Sequence, residues 1–336
     1  MMQISVVVPA WNGKNRIGLC LDSLLGQTMK CQIIVVENGS TDGSLEFLKE
    51  NYPDIELLVH EKNLGFAGGV NAGIRRSIDN GSDFVALFND DAVADKHWLR
   101  NLVETIGQNN RIGIVTCKFM DIDAEHLDST GDLYTNWGLP YPRGRGESVS
   151  DKYDKEVEVF AASGGASLYR VSMLKEIGLF DEDFFAYYED IDISFRAQLA
   201  GWKVYYSPKA IAYHRTGTSG SKIKGFTTYQ TMKNLPWLMW KNVPFSKLPS
   251  VAPRFKLAYF GFYVSAWQRG QGVVATKGLL VSLLLAPKKL WQRNKIQRTR
   301  KVSVEYIWSM MTHDLPPNAN ELRRLRAKWW RLRGRS

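Results

Sequence analysis

The sequence predicts an α/β fold, in which a mostly parallel sheet with flanking helices is followed by a helical, basic and aromatic C-terminal appendage. Two observations carry this. Five short β-rich runs alternate with four helix-like segments over the first 120 residues, the pattern of strands joined by crossover helices. After Phe245 the composition turns to Trp, Tyr, Leu and Lys/Arg, punctuated by Pro249, Pro253, Pro316 and Pro317. A chain of 336 residues, 44% hydrophobic and 12% aromatic, is large enough to bury one α/β core and a smaller annex.

The elements read in order. Ile4–Val8 has no basic segment ahead of it and no cleavage site behind it, so it reads as a strand and not as a signal peptide. A helix near Arg16–Leu25, a strand Ile33–Val36, a helix Ser44–Asn51 and a strand Glu56–Val59 follow. Next come a helix near Gly68–Ser77, a strand Phe84–Phe88, a helix near Lys96–Gln108 and a strand Ile114–Phe119. A Gly/Pro/Arg-rich stretch at 138–146 separates this half, residues 1–120, from a second block at 150–220. Together they make a domain of residues 1–245, and 246–336 is the helical basic region.

Charge divides the same way. Residues 1–250 hold 26 Lys+Arg against 31 Asp+Glu, and residues 251–336 hold 18 against 3, so the tail should meet something anionic. Cys20, Cys31 and Cys117 are odd in number and lack C-x-x-C spacing, which excludes a disulfide framework or zinc site and fits a reducing cytoplasm. The apolar stretch Gly278–Ala286 is far short of the roughly 20 residues that cross a bilayer, though long enough to lie on one.

Ligands of parallel sheets gather at the carboxyl ends of strands. There this sequence places Pro9-Ala10-Trp11-Asn12, Glu37-Asn38-Gly39-Ser40 and Asn89-Asp90-Asp91. Carboxylates ending a buried strand need positive compensation, which a divalent cation bridging a diphosphate supplies; an N-cap for the helix near Lys96, or a surface turn, is the plainer reading. A second acidic cluster, Asp181-Glu182-Asp183 and Glu189-Asp190-Ile191-Asp192, leads into a helix marked by Ile191, Phe195 and Leu199. Its N-terminal dipole keeps a carboxylate ionised and oriented, which suits Asp190 as a general base. Glu189 and Asp192 read more simply as solvating the first turn.

Phe184, Phe185, Tyr187 and Tyr188 make either a sugar-stacking wall or core. His214 is a candidate metal ligand or a structural histidine. Arg215 and Thr216–Ser221 suit a loop closing over phosphates, or a linker. The glycine-rich run Asn63–Asn71 enters a helix without a Walker lysine or dinucleotide spacing, and Ser163-Gly164-Gly165-Ala166 precedes another strand.

These pieces, in the order ISVVVPAWNGK, VVENGSTDGS, NLGFAGGVNAGI, ALFNDDA, ASGGASLYR and GLFDEDFFAYYEDIDISFRAQLAGWKVYYSPKAIAYHRTGTSG, resemble the inverting family 2 glycosyltransferases of GT-A fold, in particular their rhamnosyltransferase-like branch. The match spans Ile4 to Ser219. The resemblance implies a nucleotide-sugar half at 1–120 with Pro9, Ala10, Trp11, Asn12, Glu37, Asn38, Asn63, Gly65, Asn71, Asn89 and Asp90 around the nucleotide. The block at 150–220 becomes the acceptor half, with Gly164, Gly165, Tyr188 and Glu189 facing acceptor and sugar. Asp91 and His214 become ligands of a divalent metal, Mg2+ or Mn2+, and Asp190 the catalytic base. Asn89 stands where relatives carry an acidic residue and Asp90 where they commonly carry Pro.

By analogy with that branch, the donor is dTDP-L-rhamnose, with a UDP-sugar or galactofuranose donor as the alternative. The acceptor is a polyprenyl-diphosphate-linked glycan of a cell-surface polysaccharide such as O-antigen.

A lipid-linked acceptor accounts for the tail, where Trp267, Leu279, Leu280, Leu283, Leu284 and Trp291 mix with Lys277, Lys288, Lys289 and Arg293. Apolar residues with a basic border mark an interfacial helix, and Leu322–Arg335 repeats the theme. The expected location is cytoplasmic, peripheral on the inner face of the membrane. An ordinary helical subdomain or a homo-oligomer interface is the plainer reading. No nucleic-acid motif accompanies the charge, so nucleic acid is not expected as a partner. A sugar nucleotidyltransferase should carry a glycine- and basic-rich loop after its first strand, which Ala10-Trp11-Asn12-Gly13 is not. A non-catalytic carbohydrate-binding protein is the remaining rival.

Overall fold

The computed structural model describes residues 2–215, 223–316 and 319. Thr216–Ser221 and Leu322–Arg335, named above as a closing loop and a second interfacial segment, lie outside the described residues.

The expected alternation is present. β1 (Ile4–Ala10), α1 (Ile17–Leu25), β2 (Gln32–Asn38), α2 (Ser44–Asn51), β3 (Glu56–His60), α3 (Gly65–Asp79) and β4 (Phe84–Phe88) come first. They are followed by β5 (Ala92–Ala94), α4 (Trp98–Gly107), β6 (Ile112–Asp121), β7 (Leu127–Ser129), β8 (Asp132–Tyr134) and β9 (Pro140–Pro142). Then come β10 (Val157–Glu158), β11 (Ala166–Arg170), α5 (Val171–Ile177), α6 (Glu189–Leu199) and β12 (Lys203–His214). The last helices are α7 (Phe226–Asn242), α8 (Leu248–Gln268), α9 (Gly272–Leu284), α10 (Ala286–Arg298) and α11 (Val304–Met310).

The sheet runs β10-β12-β6-β11-β4-β1-β2-β3, with β5 on β12 and β7 on β6. β3, β2, β1 and β4 are mutually parallel, while β11 is antiparallel to both β4 and β6. Both faces of its central strands are covered, which is why they are continuously apolar. Val6 and Val8 face a core shared with α1 and α4, whereas Val7 faces α3, α5 and α6. Gly73 lets α3 lie close on the sheet: a Cβ there would sit 2.3 Å from Val7 Cγ1. The stretch at 138–146 is more than a separator, because β9 within it pairs with β8.

One apolar cluster joins Phe160, Phe184 and Phe195 to Trp237 of α7, Val251 and Phe255 of α8 and Ile307 of α11. The C-terminal helices also bury charge. Lys241 and Lys289 pair with Asp181, Lys241 also with Asp192, and Lys289 also with Asp183. Two expectations are corrected here. Lys289 and Arg293, expected on a solvent-facing basic border, are buried. Asp192, expected to solvate a helix end, is wholly buried and bound to Arg196, Lys241 and Asn242. No helix among the described residues is long and apolar enough to cross a membrane.

Candidate active site

The loops after β1 and β2 are latched together. Asn12, at φ 50°, accepts a hydrogen bond from Thr41 N at 2.8 Å, and its own N–H donates to Ser40 Oγ at 2.9 Å. The Glu37 carboxylate accepts from the N–H groups of Ser40 and Gly39, at 2.7 and 3.2 Å. Asn38 reaches a third loop: its Nδ2 donates to Gly65 O at 3.0 Å and Asn63 Oδ1 at 3.2 Å, and its Oδ1 accepts from Leu64 N at 3.0 Å. Ala10 is buried, and Pro9, Trp11 and Asn12 keep partly exposed surface at the strand end. Asn71 lies within α3, its amide bound to Phe180 and Glu182.

Asn89-Asp90-Asp91 does not cap a helix, because β5 intervenes and α4 begins only at Trp98. Asp90 is 6% exposed and forms a two-pronged pair with Arg16, at 3.1 and 2.8 Å. Burial raises its carboxyl to about 6 despite that partner. Arg16 also donates to Trp11 O and Asn12 O, so it joins the first loop to the third strand end.

β5 pairs with β12 so that Ala92 opposes His214, which brings Asp91 beside the imidazole. His214 Nε2 lies 3.3 Å from Asp91 Oδ1, and Nδ1 lies 2.9 Å from Asp128 Oδ2. The ring stacks on Phe119 with centroids 4.8 Å apart, and Arg145 Nη2 donates to Asp128 Oδ1 at 2.7 Å. Burial opposes the charged imidazole, but the hydrogen bonds to Asp128 and Asp91 outweigh it and lift His214 to about 9. Burial likewise opposes the Asp128 carboxylate, yet His214 and Arg145 hold it below the usual range.

Asp91 and His214 fit a divalent ion. A carboxylate oxygen and an imidazole nitrogen at such a separation are spaced as adjacent ligands are, since each sits about 2.0–2.2 Å from a shared cation. Asp121, Asp123 and His126 also bring ligand atoms within 4.8 Å of one another, at the partly exposed end of β6 and the turn that follows it.

The acidic helix start lies where expected, but the expectation that its dipole keeps Asp190 ionised is corrected, because desolvation outweighs the helix N-terminus and raises the carboxyl. Asp190 is the second residue of α6, accepting from Gly164 N at 3.0 Å and Ile191 N at 2.8 Å, which fixes both carboxylate oxygens. Its pKa is raised by burial, against which these N–H groups act. Asn89 N donates to Gly165 O at 2.8 Å, so the ends of β4 and α6 meet across Gly164-Gly165. Asp132, which is buried, is pushed up to about 8 by burial and then by the charge of Asp190.

The approach to α6 is strained: Phe185, Tyr187 and Tyr188 take φ of 63°, 68° and 73°. Such left-handed non-glycine residues cost roughly 1–3 kcal/mol each and persist only where their surroundings hold them. Here Asn234 Nδ2 donates to the carbonyls of Phe184, Ala186 and Tyr187, and Lys233 Nζ to those of Asp183 and Phe184. Tyr188 OH lies 3.4 Å from Thr231 Oγ1. Glu189 is buried, its pKa pushed well up by burial and by Asp190, and its Oε2 has no hydrogen-bond partner.

Arg16, Asp128, Arg145, Lys233 and Asn234 escaped the sequence reading. No local signal marks them: Arg16 and Asp90 are 74 residues apart, and Asp128 and His214 are 86 apart.

The profile described as "Glycosyltransferase like family 2" matches residues 2–232. The chain is 28% identical over 211 residues to the N-acetylglucosaminyl-diphospho-decaprenol L-rhamnosyltransferase of Mycobacterium tuberculosis, covering 56% of this chain and 68% of that one. A mannosyltransferase of Pyrobaculum calidifontis, solved in complex with GDP-Man and Mn2+, superposes with a TM-score of 0.53 at 16% identity, over 91% of this chain and 87% of that one. GalNAc-T7, solved with UDP, GalNAc and Mn2+, gives a TM-score of 0.56 at 16% identity, over 72% and 48%. A match that covers most of the chain, on a sheet of this topology, makes the protein a family 2 glycosyltransferase with a GT-A fold.

Proposed function

We propose that this chain is an inverting, metal-dependent transferase that moves a sugar from a nucleoside diphosphate to a polyprenyl-diphosphate-linked glycan, with dTDP-L-rhamnose as the preferred donor. The observation that carries the mechanism is Asp190, a half-buried carboxylate held through both oxygens by backbone N–H groups at a helix start. The acceptor and donor classes are supported by the name of the mycobacterial rhamnosyltransferase.

In this reading Pro9, Trp11, Asn12, Glu37, Asn38 and Asp90 shape the nucleotide pocket, and Gly164, Gly165, Tyr188 and Glu189 face sugar and acceptor. Asp190 takes the proton from the acceptor hydroxyl. The acceptor oxygen then attacks the anomeric carbon from the face opposite the diphosphate, which leaves with the bonding pair, so the configuration inverts. Asp91 and His214 would hold the divalent metal, Mg2+ or Mn2+, whose chemistry is to neutralise the departing diphosphate.

A place at the inner membrane face is supported by α8–α10. Leu257, Phe260, Val264 and Trp267 recur along α8 as exposed residues, and Leu280, Leu283 and Leu284 do so on α9. Residues 248–300 carry ten Lys+Arg and no Asp or Glu, and all of the ten but Lys289 and Arg293 reach the surface. A cationic face repels an identical copy and suits anionic headgroups.

The test is release of nucleoside diphosphate from dTDP-, UDP- and GDP-sugars, with membrane-extracted lipid acceptor and Mg2+ or Mn2+. Release that needs acceptor and metal, and that falls by about 10²-fold or more in Asp190→Asn, supports the reading. Undiminished turnover in Asp190→Asn sinks the assignment of the base. Failure with every donor favours a carbohydrate-binding protein.

A further inference from the structure

We infer that Asp128, held by Arg145, is a positioning residue that orients His214 towards the cation. The inference rests on the reading of Asp91 and His214 as the cation-holding pair. His214 ends β12, beyond a register shift between Ser207 and Ile211, and backbone pairing alone does not decide which ring nitrogen faces Asp91. Asp128 decides it. Its Oδ2 lies 2.9 Å from Nδ1, so a neutral ring carries its proton on Nδ1 and turns the Nε2 lone pair towards Asp91 Oδ1.

Asp128 does not swing freely in this role. Arg145 Nη2 donates to its Oδ1 at 2.7 Å and Nε to its backbone O at 3.2 Å, and the carboxylate is 7% exposed. Phe119 closes one face of the imidazole. Ring plane, tautomer and flip state are thereby set by Asp128, Arg145 and Phe119. A carboxylate behind the imidazole also makes Nε2 a stronger donor to a cation.

A structural ion pair between β7 and β12 is the competing account, and Mn2+ binding to the full chain, without sugar donor or turnover, separates the two. Titrations followed by Mn2+ electron paramagnetic resonance should show Asp128→Ala weakening binding about 10- to 100-fold. Asp128→Asn keeps the shape and carries the test should the alanine variant not fold. Its loss should fall between wild type and Asp128→Ala.

The decisive readout is the double variant. If Asp128 acts through the ring, adding Asp128→Ala to His214→Ala costs nothing further in Mn2+ affinity, whereas a merely structural role gives additive losses. Additive losses, or wild-type Mn2+ affinity in both Asp128 variants while His214→Ala binds weakly, overturn this inference alone. Wild-type affinity in His214→Ala overturns the cation-site reading and this inference with it.

Discussion

Replacing Lys241 by Met removes one cation from the network that ties the C-terminal helices to the segment leading into α6. Lys241 Nζ lies 2.6 Å from Asp181 Oδ2 and 2.9 Å from Asp192 Oδ1, and its side chain is 2% exposed. Asp192, at 0%, keeps Arg196 and Asn242, and Asp181 keeps Lys289. Two buried carboxylates therefore each lose one partner, which typically costs about 3–5 kcal/mol and lowers Tm by on the order of 10 °C. Lys288→Met is the control. It deletes a pair to Asp183 from a side chain that is 54% exposed, a loss of about 0–1 kcal/mol.

The pH dependence of that difference has a defined sign. Burial alone would raise the carboxyls of Asp181 and Asp192, but Lys241, with Lys289 for the first and Arg196 for the second, holds them below the usual range. Groups depressed on folding stabilise above their unfolded pKa, about 3.9 for Asp, and lose that contribution as pH falls through the folded value. The gap between wild type and Lys241→Met should be widest near pH 7 and narrow below about pH 4. Circular dichroism melts across that range measure it. Equal Tm losses in the two lysine variants, or a gap that widens in acid, would refute the assignment of Lys241 to a buried, charge-compensating role.

Two further outcomes are expected. Gly65 holds φ +74°, and a Cβ there would lie 2.4 Å from Phe185 O, so Gly65→Ala should cost about 1–2 kcal/mol from the backbone alone, with the displaced Phe185 loop adding to it; an unchanged urea midpoint contradicts this. Phe260→Glu with Trp267→Glu changes two exposed residues and should leave stability within about 0.5 kcal/mol per site while abolishing flotation with anionic liposomes. Wild-type protein that floats equally with neutral vesicles, or not at all, removes the membrane reading.

Much of the site was legible because it depends on short-range pattern. Strand ends are fixed by where an apolar run stops, so Asn89-Asp90-Asp91 is legible as a turn at the carboxyl edge, whereas Glu37-Asn38, which the apolar pattern leaves just beyond the second strand, are its last two paired residues. Asp190 was placed at a helix start by Ile191, Phe195 and Leu199, and α6 begins at Glu189. What charge-compensates these residues was not legible. Asp90 meets Arg16 only because β1 and β4 are neighbours in the sheet, and Asp91 meets His214 only because β5 folds back onto β12.

The tail draws the same line more sharply. By itself the sequence determined that residues 251–336 are cationic and that their apolar runs are short of the length that crosses a bilayer, since charge and length are properties of the chain. Tertiary structure alone decided that Lys288 is exposed and Lys289 enclosed. Adjacent residues on a helix point about 100° apart, and which of the two turns inward depends on where the helix packs. Composition counts both lysines alike, but only the packed fold separates the one left towards solvent from the one that holds Asp181 and Asp183.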